Sequence, residues 1–106
     1  MDQTTLPALP PNIGKRGQQK LPSGRVVPYR IKDEIRVPQT GMPEKILCLQ
    51  LIEFEKDKRS EVRLAYYIIG KKPRMRGRWV FGQYATFMLV KDFKVLIRRA
   101  EKKGWF

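Results

Sequence analysis

The distribution of apolar residues predicts an α+β domain: a small twisted antiparallel β-sheet of three to four strands with one carboxy-terminal α-helix packed on it. Three observations lead there. Two apolar runs, Lys45 to Glu55 and Glu61 to Ile69, are joined by the wholly polar Lys56-Asp57-Lys58-Arg59-Ser60, as in a hairpin. A third run, Arg78 to Met88, alternates large side chains with the period of a strand. From Leu89 the period changes, and Leu89, Phe93, Leu96, Ile97 and Ala100 form the stripe of an amphipathic helix.

Each element has its own justification. Seven of the eight prolines and four glycines precede residue 45. Proline fixes φ and donates no hydrogen bond, so residues 1–24 are expected to be a flexible, basic, proline-rich arm, and residues 25–106 one domain. Arg25 to Ile31 is a candidate edge strand that tolerates Pro28, and Lys32 to Glu44 reads as a linking loop held by Ile35 and Val37. In the run from Lys45, Leu47, Leu49 and Leu51 share one face, with Ile46, Cys48, Ile52 and Phe54 on the other. Two apolar faces mean a central strand covered on both sides, or a strand at a dimer interface. In the third run Trp79, Phe81 and Phe87 oppose Val80 and Tyr84, and Gly82 marks a bulge or a close approach. Asp92 in the first helical turn, and Arg98, Arg99, Lys102 and Lys103 near the last, complement the helix dipole. Gly104 stands where a left-handed terminator is wanted, with Trp105 as the hydrophobic partner that folds back. The core is small, so pairing into a homodimer is expected to support it.

The 106 residues include 23 Lys plus Arg against 10 Asp plus Glu, a formal charge of +13. Such a surplus repels itself unless an anionic partner neutralises part of it, and phosphate backbones and anionic membranes are the two common partners. There is no His, and Cys48 is the only cysteine, so zinc and haem sites and an internal disulfide are excluded. No cofactor or metal is expected. The start of the chain carries an acid, Asp2, and no long apolar run follows, which argues against a secretory leader, a membrane span or a membrane partner. A soluble cytoplasmic location is expected, nucleoid-associated in a prokaryote.

The loop between Gly70 and Val80 carries Lys71, Lys72, Arg74, Arg76 and Arg78 without one acid. Tyr66 and Tyr67 precede it, and Trp79, Phe81 and Tyr84 follow. Single-strand binders combine these two elements, cations tracking phosphates and aromatic faces stacking bases. Solvated charge and core aromatics are the plainer alternatives for the same residues. Arg63 and Tyr67 share a strand face with Ala65 and Ile69 that is expected to be open. The candidate nucleic-acid contacts are therefore Arg63, Tyr67, Lys71, Lys72, Arg74, Arg76, Arg78 and Trp79. No catalytic residue is expected. Gly70-Lys71-Lys72 lacks the spacing of a phosphate loop, Glu53, Glu55 and Glu61 around the hairpin are a weak metal set, and Cys48 reads as a buried apolar side chain. The alternative to a nucleic-acid binder is a protein-interaction subunit of a larger nucleic-acid-associated complex.

Val62-Arg63-Leu64-Ala65-Tyr66-Tyr67, the basic turn Gly70-Lys71-Lys72-Pro73, and Met88, Phe93 and Leu96 at the helix entry carry a resemblance. Over residues 45–103 the chain resembles the positive-cofactor-four family of transcriptional coactivators and its single-strand-binding relatives. The resemblance implies a flexible amino-terminal arm, a curved antiparallel sheet and a terminal helix through which members dimerise. It also implies single-stranded DNA bound across the sheet and loops, with Arg63, Tyr67, Lys71 and Lys72 as surface contacts. Arg74, Arg76, Arg78 and Trp79 rest on composition and spacing instead. The segment from Arg78 to Met88 departs from the family's short Lys-Gly-Ile strand, and the loop before it is expanded.

Overall fold

Alternating β-branched and aromatic residues hold most of the chain extended. The computed structural model describes residues 6–82 and 85–106, so Met1 to Thr5 of the expected arm and Tyr84 of the third apolar run lie outside it. The elements are β1 (Arg16–Lys20), β2 (Val26–Gln39), β3 (Met42–Phe54), β4 (Ser60–Ile69), β5 (Trp79–Gly82) and α1 (Val90–Lys102). The strands pair antiparallel in chain order, β1-β2-β3-β4-β5, and the sheet curls into a half-barrel.

Five strands form where three to four were expected. Arg16–Lys20, placed in the arm by its neighbouring prolines, pairs with Val26–Arg30. The segment Lys32 to Glu44 is not a linking loop: β2 continues through it to Gln39 and turns at Thr40-Gly41 into β3. Gly41 has φ +80°, a conformation glycine adopts without strain. Pro38 is accommodated because β1 pairs only with Val26–Arg30, which leaves β2 as the outer strand there, where the register also shifts, whereas Pro28, expected on an edge strand, faces Gln18 of β1.

A bulge decides which side chains meet. Ile31 faces Ile52 and Asp33 faces Leu51, so Lys32 is an extra residue in β2. Before it Val27, Tyr29 and Ile31 join Ile52 and Phe54 on the inner face. After it Ile35 and Val37 join Leu47 and Leu49 on the outer face, under Leu96 and Ala100 of α1. Strand β3 is thus covered on both sides, with Ile46 and Cys48 turned inward beside Tyr67 and Leu47 and Leu49 outward.

The third apolar run is only partly a strand. Strand β5 ends at Gly82, where a Cβ would lie 2.4 Å from the Tyr66 ring. The chain then leaves the sheet to reach α1: Lys45 Nζ donates to Thr86 Oγ1 and, at 3.1 Å, to the Phe87 carbonyl, and Met88 packs under the helix. Phe87, expected to alternate with Trp79 and Phe81, is 93% exposed.

Both helix ends are tied to β2 and its turn. Leu89 caps the amino end without a side-chain bond. Asp92 reaches instead to the turn, accepting from the Thr40 N–H at 2.9 Å and the Thr40 hydroxyl at 2.6 Å. At the other end Gly104 has φ +79°, and the Trp105 N–H donates to the Ala100 carbonyl at 3.0 Å. The Trp105 indole donates to Asp33 at 3.1 Å. Among the described residues no helix is long and apolar enough to cross a membrane.

Leu96 is fully buried while Val90, on the same helix, is exposed. Leu96→Ala is expected to cost about 2–5 kcal/mol and Val90→Ala less than about 0.5 kcal/mol by urea denaturation. The hydrogen bonds from Thr40 hold the Asp92 carboxyl below its ordinary value. Its stabilisation is therefore complete above the unfolded value near pH 4 and disappears as pH falls through the depressed native one. Asp92→Asn is expected to be less stable than the parent chain at pH 7. In denaturation curves the gap narrows steadily under acid.

Candidate nucleic-acid interface

The loop between β4 and β5 folds on itself. The Gly70 N–H donates to the Arg78 carbonyl at 2.8 Å, and the Gly77 N–H returns to the Gly70 carbonyl at 3.2 Å. Within it the Met75 N–H meets the Lys72 carbonyl at 2.9 Å. Gly70 is required where it stands, because a Cβ there would fall 2.3 Å from the Met75 carbonyl oxygen. Gly77, at φ +77°, supplies the reversal. Lys71, Lys72, Arg74, Arg76 and Arg78 are all exposed on this short, closed excursion.

The acids lie elsewhere. Glu55 holds Arg16 at 2.6 Å, Glu53 holds Lys32 at 3.5 Å, and Glu61 holds Arg59 at 3.0 Å. Those three are the hairpin acids singled out as a weak metal set, and each meets a cation. Glu34 holds Arg36 at 2.6 Å and Asp33 holds Lys103 at 3.1 Å. None of the five loop cations has a carboxylate partner among the described residues. Of the basic residues at the helix end, Arg99 reaches the Arg36 carbonyl at 3.4 Å, while Arg98 and Lys102 are exposed.

Arg63 and Tyr67 do not lie on an open surface. The curl of the sheet turns their face inward, and Tyr67 is only 6% exposed. Its hydroxyl accepts from Asn12 Nδ2 at 2.8 Å, and its ring meets Phe81 edge-on at 5.1 Å. Half-buried Arg63 donates to Gln50 at 2.9 Å and, across β3, to the Tyr29 hydroxyl at 2.9 Å. Trp79 is half-buried, its indole donating to the Pro7 carbonyl at 2.6 Å. The structure therefore gathers Lys71, Lys72, Arg74, Arg76 and Arg78 in one loop and assigns Arg63, Tyr67 and Trp79 to the inner face.

That inner face holds a polar network that no local sequence pattern marks. The Glu34 side chain is 3% exposed and accepts from Arg36, from Gln50 at 2.6 Å and from Asn12 at 3.2 Å. Gln50 is fully buried and passes the chain of bonds on to Arg63. None of the buried side-chain polar atoms of this network lacks a hydrogen-bond partner, as burial demands. The available signal was Gln50, a lone amide inside an apolar run. Cys48 lies beside the network, its thiol pushed up to about 12 by burial and, secondarily, by the Glu34 charge, so it is a poor nucleophile.

Family models, curated proteins and solved structures give no match to this chain.

Because the Tyr67 hydroxyl works inside the fold, Tyr67→Phe is expected to lose about 1 kcal/mol of stability by urea denaturation.

Proposed function

We propose that the chain binds single-stranded nucleic acid with little sequence specificity, through the phosphates and not through catalysis. The observation that carries this reading is the set of five exposed cations on one self-closed loop, none neutralised from within. Like charges held that close repel, and a polyanion relieves the repulsion while releasing its own counterions. The resemblance to the positive-cofactor-four family favours a single strand over a duplex, and the curled antiparallel sheet with a terminal helix fits that layout. The inner-face aromatics are engaged within the fold, so affinity rests on phosphate neutralisation more than on stacking. A cytoplasmic site of action belongs to the same proposal.

A second reading, a protein-interaction subunit, has its own support. Val62, Leu64 and Ile68 on the outer face of β4 are exposed, as is Phe93 of α1. In a chain of charge +13 this uncharged surface suits a second copy or a larger complex better than a phosphate backbone.

Fluorescence anisotropy with labelled single strand, duplex and structured RNA across salt tests both. Five phosphate contacts give a log–log salt slope of about −3.5 for a single strand, roughly a 100-fold loss between about 50 and 200 mM salt. Lys71→Ala combined with Lys72→Ala is expected to flatten that slope to about −2. A flat salt response in the parent chain, or a double variant that binds like it, removes the loop from this role and leaves the second reading.

A further inference from the structure

The segment Leu6-Pro7-Ala8-Leu9-Pro10-Pro11-Asn12 lies across the inner face as a ligand would. It is neither helix nor strand, and it carries a Pro-x-x-Pro spacing and no charge. Prolines donate no backbone hydrogen bond, so at Pro7, Pro10 and Pro11 the backbone offers only its carbonyls. The inner face meets two of them with side-chain donors: the Trp79 indole bonds the Pro7 carbonyl at 2.6 Å, and the Arg36 guanidinium bonds the Pro10 carbonyl. Between those points Leu9 packs against the buried cluster of Ile46, Cys48 and Tyr67, which Trp79 and Phe81 flank. Asn12 then locks the end of the segment to Tyr67 and Glu34.

We infer that this surface is a recognition groove for proline-rich segments, occupied here by the chain's own. An extended proline helix has about three residues per turn, so Pro7 and Pro10 present their carbonyls on one side, towards the two donors. Both donors read main-chain oxygens, and the pocket between them takes an aliphatic side chain. Neither contact depends on the segment being covalently attached. Aromatic-lined grooves that take Pro-x-x-Pro segments use the same elements, an aromatic floor and an indole donor to a carbonyl. The partner that fits is a protein carrying an uncharged Pro-x-x-Pro stretch with a leucine or similar residue before the second proline. The resident segment competes with it from a high effective concentration, so the groove is closed until a stronger or more abundant segment arrives. The inference stands apart from the phosphate-binding loop, since a neutral peptide gains nothing from Lys71 or Arg74.

The test uses the full chain and a fluorescent peptide of sequence Leu-Pro-Ala-Leu-Pro-Pro-Asn, with a control in which every proline is alanine. Combining Pro7→Ser, Leu9→Ser and Pro10→Ser should free the groove. That variant is expected to bind the proline peptide about tenfold more tightly than the parent chain does, and about tenfold more tightly than it binds the control. Adding Trp79→Phe, which keeps a ring but removes the donor, should weaken the peptide by about tenfold. Leu9→Ala alone is a gentler opening, for use if the triple variant does not fold, and the same ordering of peptides is expected. Equal binding of both peptides, or no binding by either opened chain, overturns the inference.

Discussion

The extra residue at Lys32 makes one long strand serve two cores. Up to Ile31, β2 buries its odd-numbered side chains against Ile52 and Phe54 on the inner face. Past the bulge the same parity looks outward, and Ile35 and Val37 form the floor for Leu96 and Ala100. Without the offset, Glu34 and Arg36 would sit under the helix and the apolar pair would face the inner network. Such a slip moves every following side chain to the wrong face. The bulge also sharpens the local twist, as the curl of a short meander requires.

Charge is distributed by the same geometry. Glu34 stands on the inner face because the bulge puts it there, and it gathers Arg36, Gln50 and Asn12 around one carboxylate. Asp33, turned the other way, receives Trp105 and Lys103 from the helix end. The hairpin acids engage Arg16, Lys32 and Arg59. What remains is a loop whose cations have no internal counter-charge. Its electrostatic character follows from where the carboxylates are committed as much as from its own composition.

Much of this could be read in the residues, and the exceptions have physical causes. The β3–β4 hairpin, both faces of β3, the helix, Gly104 and Trp105 follow from period and punctuation, which are local signals. The exposed basic loop was legible for the same reason. Strand β1 and the second half of β2 were not, because their prolines argue for irregular chain until pairing partners are known. The bulge leaves no mark in the sequence, since Val27, Tyr29, Ile31, Ile35 and Val37 keep one unbroken parity. The burial of Tyr67 and Arg63 is not legible because alternation tells two faces apart without saying which one the sheet curls around. The network at Gln50 joins residues far apart in the chain, and no local pattern encodes it.

The contact between Trp79 and Pro7 spans 72 positions, among the longest separations in the molecule. During synthesis the proline segment is therefore present long before the tryptophan that anchors it. The segment's full groove exists only once β5 has joined the sheet. Once β1 has joined the sheet the segment hangs directly beside it, so the closure that remains is short and costs little chain entropy. Until Trp79 and Phe81 are made, the proline segment has no groove to enter and stays exposed on the nascent chain.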